Sequence, residues 1–549
     1  MATIAVPHVR GQERPAILEW LTTVDHKKLG IMYLYTALFF FAVGGILALL
    51  VRTQLAVADS SFMSNHTYNQ VFTMHASAML FLFIIPVWAA FGNYFVPLQI
   101  GAPDMAFPRV NALSFWLFPT AGILMFAGFL VDGGSASAGW TAYSPLARTL
   151  GPGMDLWIIS VIMLGVSSTI GAANFIVTIF RMRAPGMTMF RVPVFCWNIL
   201  ATSVLQLLAT PVLAAALVML YIDRNFGGSF FDPNGGGNAV LWQNVFWFYS
   251  HPAVYIMILP GMGIVSEVIP VFARKPLFGY KAFVFATLGI AGLGFSVWAH
   301  HMFTTGAVLL PFFSFMTFMI GVPTGVKIFN WLATLWGGSI TFEPPMLFAL
   351  GFVSMFLIGG INGTYSAAVP VDFAIHDTYF VVAHIHYVLF GGAVFAVFAG
   401  IYYWFPKIWG RRLNDKLGTI HFILTFIGFN LAFFPMHLLG LDGMPRRIAT
   451  YADINHWELL NFVSTVGAFL IGVAMIPFLI AVVAAFMRPK DQPDNPWDAN
   501  TLEWATSSPP PPHNFDSLPE IHSERPLFDL RHGITTSHAV QPGAAEGRA

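Results

Sequence analysis

Long apolar stretches alternate with short polar joints along most of the chain. Runs of about 20 apolar residues are long enough to cross a bilayer as helices, and the chain has about twelve of them. The predicted helices cover 30–51, 72–97, 110–131, 155–180, 194–222, 240–270, 281–304, 309–332, 344–363, 378–404, 418–440 and 461–487. Turn-forming residues fill the joints, as in "DPNGGGN" and "LDGMPRR". The pattern predicts an all-α polytopic membrane protein that lies in a lipid bilayer.

The polar ends of the chain divide it into three predicted regions. A cytoplasmic N-terminal segment (1–29) precedes the twelve-helix membrane domain (30–487). A cytoplasmic, Pro-rich tail (488–549) follows and is expected to be extended. The first residues, "MATIAVPHVRGQERP", lack the apolar stretch of a cleavable signal peptide.

The basic residues between the spans predict the orientation. An even number of spans places both termini on one side of the membrane. The loops on that side hold Arg109, Arg181, Arg183, Arg191, Arg274, Lys275, Lys281, Lys407, Arg411, Arg412 and Lys416. The opposite loops hold the smaller set Arg52, Arg148, Arg224, Arg446 and Arg447. Because basic loops stay inside, both termini are expected in the cytoplasm, with the protein in the bacterial cytoplasmic (inner) membrane.

Composition supports the membrane prediction and excludes several kinds of site. Hydrophobic residues make up 56% of the chain and charged residues 9%, whereas soluble domains have roughly 25% charged residues. The net charge of +0 gives no support for nucleic-acid binding. The single cysteine, Cys196, excludes a disulfide within the chain, a C-x-x-C-H haem attachment and a two-cysteine copper site.

Histidines within the predicted spans are the main functional candidates. Ionisable groups are costly in a membrane, so they are functional candidates by default. They are His75, His251, His300, His301, His384 and His386. With the predicted orientation they come from four helices and lie in the outer half of the bilayer. Unrelated packing histidines would not share one depth, so the six are expected to form common centres.

Helix geometry limits how these histidines can share metals. His384 and His386 point about 200° apart, so they cannot chelate one ion but can serve two centres on either side of the tenth helix. His251, His300 and His301 can form a three-imidazole site with an open position, suited to copper, zinc or iron. Two imidazoles can clamp a haem, while a single one leaves the sixth iron position free. The set satisfies one bis-His haem, one five-coordinate haem and one three-His copper, without deciding which haem His384 or His386 serves.

Ordered motifs along the chain then indicate a family. They are "TMHAS", "HPAVYI", "WAHHMF", "VPTGVKIFNW", "HDTYFVVAHIHY", "MPRR" and "TLEWATSSPPPP". Over about residues 20–510 the chain resembles subunit I of the heme–copper oxygen reductases, most closely the A-type cytochrome c oxidases. The resemblance implies a redox-driven proton pump that reduces O₂ to water with electrons from cytochrome c.

The resemblance also implies roles for the histidines. His75 and His386 are expected to ligate a low-spin haem and His384 a high-spin haem, both of the haem A type. The histidines implied to hold copper B are His251, His300 and His301. Tyr255, one helical turn beyond His251, is implied to be covalently joined to that histidine and to supply an electron and a proton to oxygen.

Further residues match the surroundings of the haems. Arg446 and Arg447 match the pair that binds haem propionates. Arg52 matches a residue near the periphery of the low-spin haem, although an arginine that snorkels to the interface would look the same in sequence. His376 and Asp377 match an Mg²⁺ or Mn²⁺ site that a carboxylate of subunit II completes.

Two routes for protons are implied on the inner side. Lys327, well inside the eighth span, and Thr324 one turn away match a channel that leads to Tyr255. Asp104 matches the entrance of a second channel, continued by Asn93, Asn111, Ser167, Ser168 and Asn174. Polar side chains also hold helices together in membranes, which is the alternative for each serine.

The chain departs from the family pattern "GHPEVY" at Ala253, where the usual channel carboxylate is missing. Tyr249 lies one turn before Ala253 on the same helix face, with Ser250 beside it. This Tyr-Ser pair resembles a subgroup of the A-type enzymes, and the hypothesis is that both residues relay protons with water. The alternative is that they fill the vacated volume. Gln54 stands where some relatives carry a carboxylate for Ca²⁺, so no calcium site is expected there.

The expected partners are subunit II carrying the entry copper, subunit III and cytochrome c. A quinol oxidase of the same superfamily remains an alternative, since the partner subunit largely decides the donor. Tyr255 and Lys327 disfavour a nitric oxide reductase. A secondary transporter would also have twelve spans, but it would usually show broken helices and an internal repeat.

Overall fold

The computed structural model describes residues 15–534, and within them twelve helices are long and apolar enough to span a membrane. They are α1 (His26–Gln54), α2 (Asn65–Ile100), α3 (Pro108–Leu130), α4 (Pro152–Arg181), α5 (Val194–Asn225), α6 (Ala239–Ala273), α7 (Tyr280–Thr305), α8 (Leu310–Leu335), α9 (Pro344–Ala367), α10 (Tyr379–Trp409), α11 (Asp415–Leu441) and α12 (Trp457–Phe486). The prediction of an all-α protein with twelve spans is confirmed. Parts of both predicted terminal regions, 1–14 and 535–549, lie outside the described residues.

Local side chains determine where several helices begin and end. Asp25 accepts hydrogen bonds from the backbone N–H groups of the first turn of α1, and Asn414 caps α11 in the same way. At the other end, α2 stops at Gly101, whose φ of 73° is readily available only to glycine. Polar residues between the apolar runs therefore set the helix boundaries.

The helices form a closed bundle in which most neighbours in sequence are neighbours in space. The pairs α3/α4, α4/α5, α5/α6 and α11/α12 pack closely, and α12 returns to contact α1. Helices α2 and α6 are the most buried, and α6 also packs against α10. The central positions thus belong to α2, α6 and α10, which carry four of the six candidate histidines.

Three spans depart from regular α-helix close to those histidines. Helix α2 contains a π-helical segment at Ala78–Ile84, and α10 contains one at Leu389–Val394. Helix α7 ends in 3₁₀ turns at Trp298–Thr305 instead of continuing as an α-helix. Such interruptions often mark functional sites because they rotate the side chains that precede them.

The C-terminal segment, here 488–534, packs against one end of the bundle. It contains the short helices Leu502–Ala505 and Pro526–Arg531, and Trp504 within it is buried. Lys407, which the span prediction left in a loop, lies inside α10 and donates to the carbonyl oxygen of Thr506. Asn514 of this segment donates to the carbonyl oxygen of Ala102 in the loop between α2 and α3. The segment therefore lies at the same end of the bundle as that loop.

Candidate metal and cofactor site

A cavity of about 1230 Å³ runs through the bundle and connects most of the predicted site residues. Its walls include His75, His251, His300, His301, His384, His386, Tyr255, Thr324, Arg52, Arg446, Arg447, His376 and Asp377. Apolar side chains form most of the remaining wall. A space of this size, lined by several imidazoles, is suited to large flat cofactors.

His75 and His386 face each other across this cavity. Their rings are nearly parallel, at 4°, and their centroids lie 6.5 Å apart. Nδ1 of His75 lies 2.8 Å from the carbonyl oxygen of Gly44, and Nδ1 of His386 lies 2.7 Å from that of Val382. Since a carbonyl only accepts, each Nδ1 carries the hydrogen and each Nε2 keeps a free lone pair. The pair fits two axial ligands on opposite sides of one metal.

The two π-helical segments begin at the same distance from these histidines. Ala78 follows His75 by three residues, and Leu389 follows His386 by three residues. In each helix the extra residue of the wider turn changes the direction of the preceding side chain relative to the rest of the span. The shared offset is a local reason why both rings face the same gap.

His384 points away from this pair, as the i, i+2 spacing requires. Its Nδ1 lies 3.0 Å from the carbonyl oxygen of Gly359 and 2.7 Å from Oδ1 of Asn362, so Nε2 again keeps its lone pair. A Cβ at Gly363 would lie 2.8 Å from the His384 ring. The position of this imidazole therefore depends on a glycine in α9.

His251, His300 and His301 form the group whose possible ligand atoms all lie within 4.8 Å of one another. Nε2 of His301 is 3.2 Å from Nδ1 of His251 and 3.0 Å from Nε2 of His300. Nitrogen atoms this close need a shared proton or a shared metal ion. No similar group of three was found elsewhere in residues 15–534.

Neighbouring side chains orient this trio. Nδ1 of His300 lies 3.0 Å from the hydroxyl of Thr317, and the ring of His301 stacks on Trp247 with centroids 3.8 Å apart. Nε2 of His251 is buried without a hydrogen-bond partner, and the Tyr255 ring lies 4.8 Å from that of His251. The imidazole of His251 and the phenol ring of Tyr255 thus lie close together on the same helix.

Glycines leave the space that a flat ring system would need. A Cβ added at Gly321, Gly325 or Gly360 would find no atom within 4 Å, and all three residues line the cavity. Gly321 and Gly325 are four residues apart, so they form one open face of α8. Together with the free imidazole nitrogens, this open face fits bound haem.

Arg52 lies at one side of the cavity, fully enclosed within the bundle. One of its terminal nitrogens donates to the carbonyl oxygen of Asn461 at 2.7 Å and to the hydroxyl of Thr465 at 3.1 Å. Its other two nitrogens are buried without partners. An arginine that snorkels to the surface would be hydrated, so this geometry favours a buried acceptor supplied by a cofactor.

Arg446 and Arg447 lie in the loop after α11, which is hydrogen-bonded to the loop before α10. Arg446 N donates to the carbonyl oxygen of Asp377, Tyr379 N donates to that of Met444, and the side chains of Arg446 and Asp377 form an ion pair. Nε of Arg446 is buried without a partner. Burial and the charge of Arg446 lower the pKa of Arg447 to about 10, so Arg447 remains cationic at neutral pH. Both cations can therefore attract carboxylates within the cavity.

His376 and Asp377 lie beside this ion pair but do not enclose a cation site on their own. Nδ1 of His376 lies 3.2 Å from Asp372, and its Nε2 lies 3.8 Å from Asp377. Burial opposes ionisation of Asp377, but Arg446 and His376 outweigh it and hold the pKa of the carboxyl below its usual range. The anionic Asp377 is thus already paired with Arg446.

The cavity also approaches Lys327. Thr324 lines it, one turn from Lys327, which is fully buried. Nζ of Lys327 donates to Oδ1 of Asn198 in α5 at 3.1 Å. The open space therefore extends from Tyr255 to within one helical turn of the lysine.

The polar residues of the second predicted proton route begin at the loop that carries Asp104. Asn111 Nδ2 donates to Asn93 Oδ1 at 2.6 Å, while Asn174 bonds the backbone of Phe107. Burial raises the pKa of Asp104 to about 6, against the N–H of Met105. This carboxyl can therefore exchange protons near neutral pH.

Serines continue this group between α3 and α4. Ser167 and Ser114 exchange hydrogen bonds with each other's carbonyl oxygens, and Tyr33 bonds the Ser114 hydroxyl at 2.9 Å. Ser167 and Ser168 line a small cavity of about 50 Å³, which has room for a few water molecules. The serines thus join helices and also line a space large enough for water.

Tyr249 and Ser250 are buried and directly precede His251 in α6. Neither residue lines the large or the small cavity. Oγ of Ser250 has no partner in the described chain, and no hydrogen bond to Tyr249 OH is formed there. Both hydroxyls therefore need water or each other to be satisfied.

Several residues that orient the predicted site residues could not be singled out from the sequence. They are Asn362 at His384, Thr317 at His300, Trp247 at His301, Asp372 at His376 and Asn198 at Lys327. Asn362 and Asn198 had a usable signal, since an asparagine in an apolar span needs a partner. Thr317 and Trp247 had none, because such residues are common in spans.

Comparison with known proteins agrees with this geometry. The family model described as "Cytochrome C and Quinol oxidase polypeptide I" matches residues 28–470. The chain is 54% identical over 536 residues to a probable cytochrome c oxidase subunit 1-beta of Nocardia farcinica, covering 97% of this chain and 91% of that one. It is 53% identical over 533 residues to cytochrome c oxidase subunit 1 of Corynebacterium efficiens, covering 96% and 92%. A cryo-EM structure of a heme-copper terminal oxidase dimer has a similar fold, with TM-score 0.71, 17% identity and 85% of each chain covered.

Proposed function

Since the chain belongs to the cytochrome c and quinol oxidase polypeptide I family, we propose how its own residues perform the reaction of that family. The protein is the catalytic subunit of a terminal oxidase, a membrane oxidoreductase that holds haems and copper B and works with subunit II and cytochrome c. The proposal rests above all on one observation: the facing pair His75/His386 and the trio around His251 line the same cavity.

Four histidines divide between the two haems. His75 and His386 would hold the low-spin haem, because their parallel rings lie across one gap and each keeps a free Nε2. His384, on the other side of α10, would hold the high-spin haem through its free Nε2. Both haems are proposed to be of the haem A type, with their propionates held by Arg446 and Arg447. Arg52, with two unpartnered nitrogens, binds a polar group at the edge of the low-spin haem.

His251, His300 and His301 would hold copper B. When bound, the haems and the copper would pass electrons from cytochrome c to O₂, which is reduced to water. Tyr255 borders the same space and gives up its phenol proton there. We propose that a ring carbon of Tyr255 is also joined to the unpartnered Nε2 of His251. This bond would replace one ring C–H and one imidazole N–H, and O₂, the substrate, would take up the two hydrogens and two electrons. The apolar walls keep bulk water away from the centre.

Protons reach the centre by two routes from the inner side. Lys327 takes up a proton and passes it by way of Thr324 to Tyr255 through the space that Thr324 and Tyr255 both line. Asp104 takes up protons for the second route, which Asn93, Asn111, Ser167, Ser168 and Asn174 continue. Tyr249 and Ser250 connect the end of this route nearest the reaction centre to that centre. They do so in place of the carboxylate that is missing at Ala253.

The subunit also has a proposed cation site, a further partner subunit and a proposed orientation in the membrane. Asp377 is paired with Arg446, so His376 and Asp377 hold Mg²⁺ or Mn²⁺ only when a carboxylate of subunit II completes the site. Subunit III is a further partner. Both termini lie in the cytoplasm of a bacterium and the protein lies in its inner membrane, on the evidence of the basic loops.

The test is spectroscopy and metal analysis of the purified complex. A pyridine haemochrome spectrum should show haem A, and metal analysis should show copper at the trio in addition to the copper of subunit II. Oxygen uptake should be supported by reduced cytochrome c. Protohaem alone together with activity on a quinol would favour the quinol oxidase alternative, and a colourless protein would contradict the proposal altogether.

A further inference from the structure

Asn514, in the C-terminal segment, is fully buried and bonds two other parts of the chain. Its Oδ1 accepts a hydrogen bond from Nζ of Lys27 at 2.7 Å. Its Nδ2 donates to the carbonyl oxygen of Ala102 at 2.8 Å and lies 2.9 Å from Nε2 of His26. The C-terminal segment is thereby bonded to the first turn of α1 and to the loop between α2 and α3.

The two side chains of α1 in this cluster bond the amide differently. Nδ1 of His26 is 2.6 Å from the carbonyl oxygen of Asn93, so Nδ1 carries a hydrogen. Nε2 of His26 lies 2.9 Å from Nδ2 and 3.1 Å from Oδ1 of Asn514. The ammonium of Lys27 donates to Oδ1 and is the group whose position Asn514 sets.

Lys27 is held beside the loop that carries Asp104. The carbonyl oxygens of Ala102 and Pro103, which precede Asp104, both accept from Asn514. Nζ of Lys27 also donates to the carbonyl oxygen of Pro512 at 3.0 Å. Asn514 thus bonds both the Lys27 ammonium and the loop that leads to Asp104.

The charged groups around Asp104 are few. Burial raises its pKa, and the charge of Asp25 adds to this effect, while the N–H of Met105 and the Lys27 cation oppose it. Asp25 itself lies 3.4 Å from Lys27 Nζ. From α4, the groups that bond this loop are the uncharged Asn174 and Thr178. Lys27 is therefore the nearby cation that favours the ionised form of Asp104.

We propose that Asn514 is a positioning residue for the inner proton inlet, where it ties the Lys27 ammonium to the loop that leads to the Asp104 carboxyl and so adjusts the proton affinity of the inlet. This inference rests on the proposed role of Asp104 in proton uptake. A nearby cation favours the ionised carboxyl, so its displacement lets Asp104 keep its proton to higher pH.

The test is the pH dependence of oxygen uptake by the complete oxidase complex with reduced cytochrome c. Asn514→Leu and Lys27→Gln should each move the alkaline limb of the profile upward by roughly half a unit to one unit. The double variant should shift no further than Lys27→Gln alone, because both changes remove one effect. Asn495→Leu is the matched control, since the Asn495 amide bonds Ala499 within the same segment, and its midpoint should not move.

Two outcomes separate this inference from the proposed inlet. A shifted midpoint in Lys27→Gln with an unchanged one in Asn514→Leu would overturn the role of Asn514 alone. Wild-type turnover and pumping in Asp104→Asn would instead overturn the inlet. Haem content checks that each variant assembles; where Asn514→Leu does not, an unchanged midpoint in Lys27→Gln overturns the inference as well.

Discussion

Nζ of Lys327 lies 3.1 Å from Oδ1 of Asn198, in a fully buried contact between α8 and α5. The other neighbours of this ammonium are the sulfur of Met262 at 3.5 Å and the ring of Phe283 at 4.9 Å. No carboxylate within residues 15–534 forms an ion pair with it. The amide oxygen of Asn198 is therefore the main hydrogen-bond acceptor for the Lys327 amino group, which lies on the proposed proton route.

Replacing Asn198 should impair this route without removing the lysine. In Asn198→Leu the ammonium loses a hydrogen bond worth about 1.5 kcal/mol, so we expect oxygen uptake to fall roughly tenfold. Lys327→Met should lower it much further. Asn225→Leu, at the opposite and exposed end of α5, is the matched control and should keep wild-type turnover. Unchanged turnover in Asn198→Leu would show that the lysine does not depend on this amide.

The opposite directions of His384 and His386 should separate the two haems spectroscopically. His386→Leu and His75→Leu should each remove the low-spin signal, because each leaves one side of the facing pair without its ligand. His384→Leu should keep the low-spin signal and lose carbon monoxide binding at the high-spin haem. Reduced-minus-oxidised and carbon monoxide difference spectra measure both effects. Loss of the low-spin signal in His384→Leu alone would reverse the assignment.

The spans could be predicted from the sequence because their length and apolar composition are local properties. The contacts between spans could not. Lys327 and Asn198 are 129 residues apart, and His26 and Asn514 are 488 residues apart. In a bilayer both the lipid-facing and the buried face of a helix are apolar, so the hydrophobic pattern says little about how each helix is rotated.

The histidines show where such prediction succeeds and stops. The i, i+2 spacing is enough to place His384 and His386 on opposite faces of α10, because helix geometry is fixed. It cannot say which of them faces His75, since that depends on the order of helices around the bundle. The π-helical segments after His75 and His386 also carry no clear sequence signal, although they change the direction of both rings.

Tyr249 and Ser250 provide a direct test of the altered proton route. Since neither hydroxyl bonds a protein group in the described chain, both are available to ordered water. The combined variant Tyr249→Phe with Ser250→Ala should lower turnover roughly tenfold, the loss typical of one proton-transfer group at the lower end of the range. Proton release by vesicles containing the complex should fall as well. Tyr365→Phe, at an exposed tyrosine, is the control. If the combined variant kept wild-type turnover and pumping, Tyr249 and Ser250 would only fill the volume left by the missing carboxylate.

Replacement of Gln54 by glutamate should create a calcium site. Its Nε2 donates at 2.8 Å to the carbonyl oxygens of both Ser60 and Ala449, and its Oε1 accepts from the N–H of Met63 at 2.8 Å. The neutral amide thus fills the space between two carbonyl oxygens. In Gln54→Glu a carboxylate replaces the donor, and its oxygen then faces the carbonyl oxygens of Ser60 and Ala449 without a hydrogen between them.

A calcium ion would relieve this repulsion, because Ca²⁺ prefers carboxylate and carbonyl oxygens. Thermal unfolding of the Gln54→Glu complex should therefore occur at higher temperature with Ca²⁺ than with a chelator, while the wild type should not respond. At a free Ca²⁺ concentration about 100 times the dissociation constant, binding adds about 2.7 kcal/mol to stability. Gln492→Glu, at an exposed position in the C-terminal segment, controls for the added charge. Equal responses of wild type and Gln54→Glu to Ca²⁺ would show that this amide does not stand in for a cation.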